Sequence, residues 1–232
     1  MEWFQTWSAD FCDTFTRCFI KDNRYILLLD GIGVTIRVSL VAVLIGIAIG
    51  LLIALCNLSS NKLLKLIGGI YTDVIRGTPS VTQLMIIYFV IFASVNLSKW
   101  IIAAIAFGIN SGAYVSEIIR AGILSVDKGQ TEAGRSLGLS ASQTMTRIVI
   151  PQAVKNIFPA LCNEFIVLIK ETAIVGYVGL MDIQKAGDFI KSATFEAFMP
   201  LIGTASIYYV LIKILTLVLN RVESRLRASE VR

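Results

Sequence analysis

Carboxylates, amides and an ammonium group recur at helical intervals inside stretches that otherwise carry no charge, a pattern suited to handling a solute or ion. Asn110, Tyr114 and Glu117 are spaced by four and three residues and share one helical face. Asn156, Asn163, Lys170 and Tyr177 recur every seven residues, with Glu164 and Glu171 as an adjacent seven-spaced pair. A helix side of this kind cannot face lipid, so it must line a cavity or a partner helix. A cavity holding both carboxylate and ammonium groups suits a small zwitterionic solute. The alternative is internal pairing, of Lys170 with Glu164 or a residue of another helix, and of Glu117 with Arg120 three residues on.

Bond-making chemistry has little to work with. The chain contains no histidine, which removes Ser-His-Asp triads, imidazole metal sites and histidine proton relays. Its four cysteines, Cys12, Cys18, Cys56 and Cys162, are scattered and include no C-x-x-C pair, so neither zinc nor a disulfide framework is indicated. No G-x-x-x-x-G-K-[ST] pattern occurs, so a P-loop for ATP is not expected on this chain.

The elements that must position these residues are membrane helices. Of 232 residues, 56% are apolar and 16% charged, with a mean hydropathy of +0.75. The apolar residues fall in blocks, three of them uncharged: Val38 to Cys56, Gly77 to Ser98 and Trp100 to Ser116. A fourth, Asn156 to Met181, carries the polar stripe, and a fifth, Ala197 to Asn220, contains only Lys213. The expectation is an all-α integral membrane protein with five transmembrane helices. The formal net charge is +5, but the basic residues lie mostly between the apolar blocks, which argues for membrane topology and against a nucleic-acid partner. Lys62, Lys65, Arg76, Arg120, Lys128, Arg135, Arg147, Lys155 and the C-terminal arginines outnumber Arg17, Lys21, Arg24, Lys99, Lys185 and Lys191 on the other side two to one. That bias predicts the N-terminus outside and the C-terminus in the cytoplasm.

Residues 1–24 lack the uncharged core of a secretory signal. Trp3, Phe4, Trp7, Phe11, Phe15, Cys18 and Phe19 form an aromatic face expected either to lie in the outer interface or to pack on the bundle. Arg37, near the outer end of the first span, is expected to snorkel to the headgroups. Lys62 to Ile75 reads as a short helix on the inner surface, ending at Arg76-Gly77-Thr78-Pro79, with Thr78 capping a second span that starts at Pro79. Residues 25–225 form the expected transmembrane domain, with a cytoplasmic loop over 123–155 and a tail over 226–232. Within the loop, Asp127 with Gln130 and Ser140 with Gln143 have capping-box spacing, and Gly138 supplies a left-handed stop. Two short helices follow, the second running up to Pro151.

The loop residues carry a resemblance. Gly129-Gln130-Thr131-Glu132-Ala133-Gly134-Arg135-Ser136-Leu137-Gly138-Leu139-Ser140, followed by Arg147-Ile148-Val149-Ile150-Pro151-Gln152-Ala153, closely resembles the EAA loop of ABC importer permeases. Arg76-Gly77-Thr78-Pro79, Ala113 to Arg120, Asn163 to Ile166 and Lys170-Glu171-Thr172 match in order and spacing, and look like the polar amino acid uptake branch. The resemblance covers roughly 31–225. It implies a type I importer permease bundle in a bacterial cell (inner) membrane, paired as a homodimer or with a sister permease. Two cytoplasmic ABC ATPases and an extracytoplasmic solute-binding protein are implied as partners. ATP and Mg would then sit on the ATPase, with no cofactor on this chain. Gln130, Glu132, Ala133, Gly134, Gly138 and Leu139 would form the ATPase-coupling surface, with Gly134 departing from the family's usual alanine. Asn110, Tyr114, Glu117, Asn163, Glu164 and Lys170 would line the substrate pathway, for an amino acid of polar or basic type. A competing reading is an ion-coupled secondary transporter using Glu117, Glu164 and Lys170. A membrane-embedded enzyme is least supported, for want of a nucleophile and base pair or a metal cluster.

Overall fold

The computed structural model describes residues 10–228, and among these every regular element is helical. Helix α1 is Tyr25–Leu58, α2 is Lys62–Arg76, α3 is Ser80–Ile86 with a wide π turn at Ile87–Ile91, and α4 is Lys99–Leu124. A loop carries α5, Lys128–Ser136, and α6, Ala141–Thr144. A π turn at Met145–Val149 joins α6 to α7, Ile150–Glu171, and a 3-10 segment, Thr172–Val178, follows. Helix α8 is Ile183–Thr194 and α9 is Phe198–Ala228. By length and composition α1, α4 and α9 can each cross a membrane. The pair Lys62–Arg76 and Ser80–Ile91, bent by 104°, makes a fourth if counted as one span. Helix α7 has the length, about 33 Å at 1.5 Å per residue, but its polar stripe sets it apart in composition.

Helices α1 and α4 form a parallel pair on which the rest is assembled. Small residues recur every fourth position on both: Ala42, Gly46, Gly50 and Ala54 on α1, and Ala104, Gly108, Gly112 and Ser116 on α4. A Cβ at Gly50 would fall 2.5 Å from Val115 Cγ1, and one at Gly108 would fall 2.6 Å from Ile45 Cβ. The glycines therefore bring the two backbones into close contact, the arrangement by which helices associate where lipid offers no hydrophobic drive.

Around this pair, α7 packs against α4 through Ala153 and Ile157, which join Ala54, Val115 and Ile119 near the end of the bundle that bears the α5–α6 loop. At the opposite end, hereafter the far end, α8 is wedged beside α1. The fully buried Asp182 caps it, accepting from the Gln184 and Lys185 amides at 3.2 and 2.9 Å and from the Tyr208 hydroxyl at 3.0 Å. Burial pushes this carboxyl above the usual carboxylate range, against the pull of those donors. Gly31 of α1 lies directly on the Asp182 backbone.

Two expectations change here. Helix α2 is not a surface helix. Its Gly68 and Thr72 are buried against the bundle, and the Tyr71 hydroxyl donates to the carbonyl of Ile109, the eleventh of 26 residues in α4. It therefore climbs to mid-depth before the chain breaks. The exposed Leu63, Ile67, Ile70 and Val74 form its outer face, and an amphipathic period reads the same whether that face meets headgroups or acyl chains. Nor does the segment after Leu139 end at Pro151. The π turn at 145–149 and the helix after it continue through the proline, whose missing N–H falls in the first turn of α7.

Of the N-terminal aromatic face, Trp3, Phe4 and Trp7 lie outside the described residues. Cys18 and Phe19 are buried against Ile183, Ile190 and Met199, whereas Phe11 and Phe15 stay exposed. Its inner edge thus packs on the bundle, and its outer edge is exposed, with Phe15 packed on Phe19.

The glycine contacts generate a paired test. Gly31→Ala places a methyl 2.7 Å from the Asp182 carbonyl carbon, where backbone must move, whereas a Cβ at Gly33 meets nothing within 4 Å. Thermal unfolding of the purified transporter is expected to show Gly31→Ala destabilised by about 1–3 kcal/mol. Gly33→Ala is expected to be neutral or stabilised by up to ~1 kcal/mol, from the better helix propensity of alanine. Equal melting temperatures for the two variants would contradict the close contact at Gly31.

Candidate functional site

The break between α2 and α3 is the centre of the site, because unwound backbone at membrane depth must find hydrogen bonds within the protein. Gln83, 8% exposed, supplies them. Its Nε2 donates to the Ile75 carbonyl at 2.7 Å, the Thr78 carbonyl at 3.1 Å and the Thr78 hydroxyl at 2.7 Å, while its Oε1 accepts from Asn110 Nδ2 at 2.9 Å. Asn110, expected on the substrate pathway, is thus buried as the anchor that ties the break to α4. Thr78 does not cap the new helix; its hydroxyl donates back to Val74, and Pro79 occupies the cap position. Gln83 was not singled out from the sequence, where a lone glutamine in an apolar run carries no signal of its contacts.

Holding the break in this way sets Arg76 at mid-depth. Its guanidinium lies 5.4 Å from the ring centroid of Tyr114, on the half-open face of α4. Beyond Tyr114 around the same helix, Ser111 donates to Glu164 Oε1 at 2.7 Å, with Glu164 only 8% exposed. Viewed down α4, Tyr114 lies between the Asn110 and Ser111 directions. A cation and a carboxylate therefore flank one aromatic ring at mid-depth.

The remaining stripe residues separate. Asn163, Lys170 and Tyr177 are exposed, and no ion pair joins Lys170 to Glu164. The pairing alternative for those two is corrected: Lys170 lies six residues on, pointing off α7, while Glu164 turns inward to α4. Asn156 donates instead to the Ser125 hydroxyl, tying α7 to the end of α4. At the far end the stripe runs to Tyr177, beside a cleft of about 490 Å³ lined also by Gln184, Lys185 and Asp188. Glu117 takes the alternative role, making a two-point ion pair with Arg120 (3.1 and 2.8 Å), while the Arg76 charge over Tyr114 also attracts it.

At the other end the α5–α6 loop is compact. Ser140 and Gln143 make both bonds of a capping box, and Gly138 adopts φ +84°. Asp127 caps through the Gly129 amide, so α5 starts at Lys128 and the Gln130 side chain takes no part in a capping box. Gln130 instead accepts weakly from Gln152 at 3.4 Å. Arg135 Nη1 donates to the Leu139 carbonyl at 2.7 Å and closes the turn. Gly134 is buried, and a methyl there would fall 2.8 Å from Ile148 Cδ1 and 2.9 Å from Thr144 Cγ2. Glycine here brings the two arms of the loop together. Glu132 and Ala133 are exposed, and so is Leu137 at 83%, an apolar side chain at the tip that sequence reading passed over.

The break itself is testable. Gln83→Leu keeps the volume but removes the two N–H donors shared among three acceptors and the Asn110 partner, so a loss of about 2–4 kcal/mol in thermal unfolding is expected. Arg76 should also become faster to cleave by trypsin. A double-mutant cycle with Asn110→Ala should give coupling of about 0.5–1.5 kcal/mol. Additive effects would mean that Asn110 does not anchor the break.

The chain matches the family model described as binding-protein-dependent transport system inner membrane component over residues 46–228. It is 41% identical over 208 residues to a putative glutamine transport system permease protein of Rickettsia bellii, covering 89% of this chain and 95% of that one. It is 42% identical over 205 residues to the arginine transport system permease protein ArtQ of Bacillus subtilis, covering 88% and 94%. Among solved structures, an amino acid ABC transporter crystallised with histidines superposes with a TM-score of 0.82 at 44% identity, over 89% of this chain and 98% of that one. The MetNI methionine ABC transporter shares the fold alone, with a TM-score of 0.74 at 18% identity. This fold, the mid-depth polar site and these likenesses together place the chain: it belongs to the family of binding-protein-dependent transport system inner membrane components, the non-catalytic permease subunits of ABC importers.

Proposed function

We propose that this permease forms the translocation pathway for an amino acid, of polar or basic type, delivered by an extracytoplasmic solute-binding protein and moved at the expense of ATP hydrolysed on separate subunits. The observation that carries this reading is the pairing of opposite charges at mid-depth, the Arg76 guanidinium over Tyr114 and the buried Glu164 on Ser111. An α-amino acid presents a carboxylate and an ammonium group, and these two side chains present the complements. Asn163 and Lys170, exposed on the same helix as Glu164, extend the polar route towards the cleft at Tyr177. Glutamine and arginine in the names of similar permeases agree with a polar or basic solute.

An exposed polar stripe at membrane depth needs a covering, and a second permease, identical or related, supplies it in this reading. The N-terminus lies outside and the C-terminus in the cytoplasm, so the α5–α6 loop reaches the cytosol. There the exposed Glu132, Ala133 and Leu137, with Gly134, Gly138 and Leu139 shaping the turn, dock on the ATPase, which holds ATP and Mg. Transport follows from two arrangements of the permease pair, whose balance shifts when nucleotide closes the ATPase dimer.

Two substitutions separate the halves of the proposal. In reconstituted vesicles, Glu164→Gln is expected to raise the solute KM roughly tenfold or more, the cost of one charged hydrogen bond, while leaving assembly with the ATPase intact. Wild-type affinity for every amino acid would remove Glu164 from the pathway. Glu132→Lys combined with Leu137→Asp is expected to abolish solute-stimulated ATP hydrolysis in a chain that still melts normally. Unchanged stimulation, or uptake driven by an ion gradient without ATP, would favour the secondary-transport alternative.

A further inference from the structure

We propose that Arg37, with Trp100, forms a binding site for the phosphate of a membrane phospholipid at the far-end boundary of the bilayer. Arg37 lies on the exposed face of α1. Ile26, Leu40, Leu44, Leu51 and Leu55 recur on that face at helical steps, and all are exposed. This is the broad apolar side of the helix, away from the glycine seam, and it is the side that meets acyl chains.

Depth is set by helix length. Twenty-one residues separate Arg37 from Leu58, the last residue of α1. At 1.5 Å per residue that is about 31 Å, close to the thickness of a hydrocarbon core. Arg37 therefore stands where acyl chains give way to headgroups. Trp100, in the first turn of α4, which runs parallel to α1, reaches the same level, and its ring lies 5.7 Å from the Arg37 guanidinium carbon. Tryptophan at this depth is an interface anchor. Stacking on the indole holds the guanidinium fork flat and leaves its N–H edge free for an oxyanion.

Among the described residues no carboxylate pairs with Arg37. Asp30, seven residues earlier on the same face, makes no ion pair with it. Lys99, next to Trp100, is exposed and reaches only the Gly179 carbonyl, at 3.4 Å. Arg37 thus lies on an aromatic plane, with Lys99 turned away to Gly179, at a level where the abundant anion is lipid phosphate. A diester phosphate accepts two N–H bonds from the guanidinium while its acyl chains run down past Leu40 and Leu44. Snorkelling alone explains only why Arg37 is tolerated; the indole beneath it, which fixes the plane of the fork, makes a recognition site. The inference stands apart from the solute reading and from the orientation of the chain.

The test uses the whole transporter, carried in nanodiscs of equal parts phosphatidylglycerol and phosphatidylcholine and then exchanged into mild detergent. Phospholipid retained per copy of this chain is counted by native mass spectrometry. Wild type is expected to keep a phospholipid that Arg37→Gln keeps roughly fivefold less, with Arg37→Lys between them because it retains the charge but not the fork. A large excess of inorganic phosphate should leave retention unchanged. Equal retention by wild type and Arg37→Gln overturns the site, and displacement of the lipid by inorganic phosphate overturns a lipid as its occupant. Should Arg37→Gln fail to assemble, a benzoylphenylalanine at Leu40 in the otherwise native chain decides. A light-driven adduct of phospholipid mass supports the site, and an adduct to a neighbouring permease overturns it.

Discussion

A broken helix inside a bilayer survives only if its freed backbone groups find partners within the protein, and here one glutamine meets that demand. Gln83 satisfies carbonyls on the α2 side of the break, engages Thr78, and is itself held by Asn110. Without that clamp, carbonyls left unmade in hydrocarbon would cost several kcal/mol each. With it, the chain can turn through 104° at mid-depth and deliver Arg76 to Tyr114. The polar site is therefore a product of backbone accounting as much as of side-chain choice. Asn110 and Gln83 are committed to the break, which leaves Arg76 on Tyr114 and Glu164 on Ser111 as the charged groups of the site.

The seam between α1 and α4 supplies the rigidity behind this arrangement. Glycines on both helices bring the backbones together, so Ser111 can reach across to Glu164 on α7 while the neighbouring Asn110 reaches Gln83. A bulkier residue in the seam would separate the two sides of the site together. Packing and polar recognition are in this sense one system, with glycine spacing on one face of α4 and hydrogen-bonding groups on the next.

Much of the molecule was legible from residue order because its signals were local. The capping box at Ser140 and Gln143, the left-handed Gly138 and the ordered motifs of the loop need no tertiary context, and the long apolar blocks announce membrane helices by length. What escaped notice depended on depth or on partners far along the chain. Helix α2 read as a surface helix because its period says nothing of how far Tyr71 climbs. The small residues of the α1–α4 seam were visible in the sequence but were not read as a packing face. Lys170 and Glu164 invited pairing by their proximity in sequence, and only the rotation of α7 against α4 separates them. Gln83 was silent because its three partner residues lie on α2, in the break and on α4. Gly134 looked like a weak spot in a helix and is instead where two arms of the loop meet.

Finally, the chain from Ala141 to Glu171 is one continuous rod, because the wide turn at 145–149 passes into α7 without a break. Ala141, beside the loop, and Glu164, on Ser111 at mid-depth, are ends of the same lever, about 35 Å apart at 1.5 Å per residue. Pro159 lies between them and removes one backbone hydrogen bond from the rod, but where the helix moves as a unit a tilt of ~10° about its loop end swings Glu164 by roughly 6 Å, about the pitch of one helical turn. Such a swing would carry the carboxylate clear of Ser111. Whatever moves the loop would thereby also set the reach of Glu164.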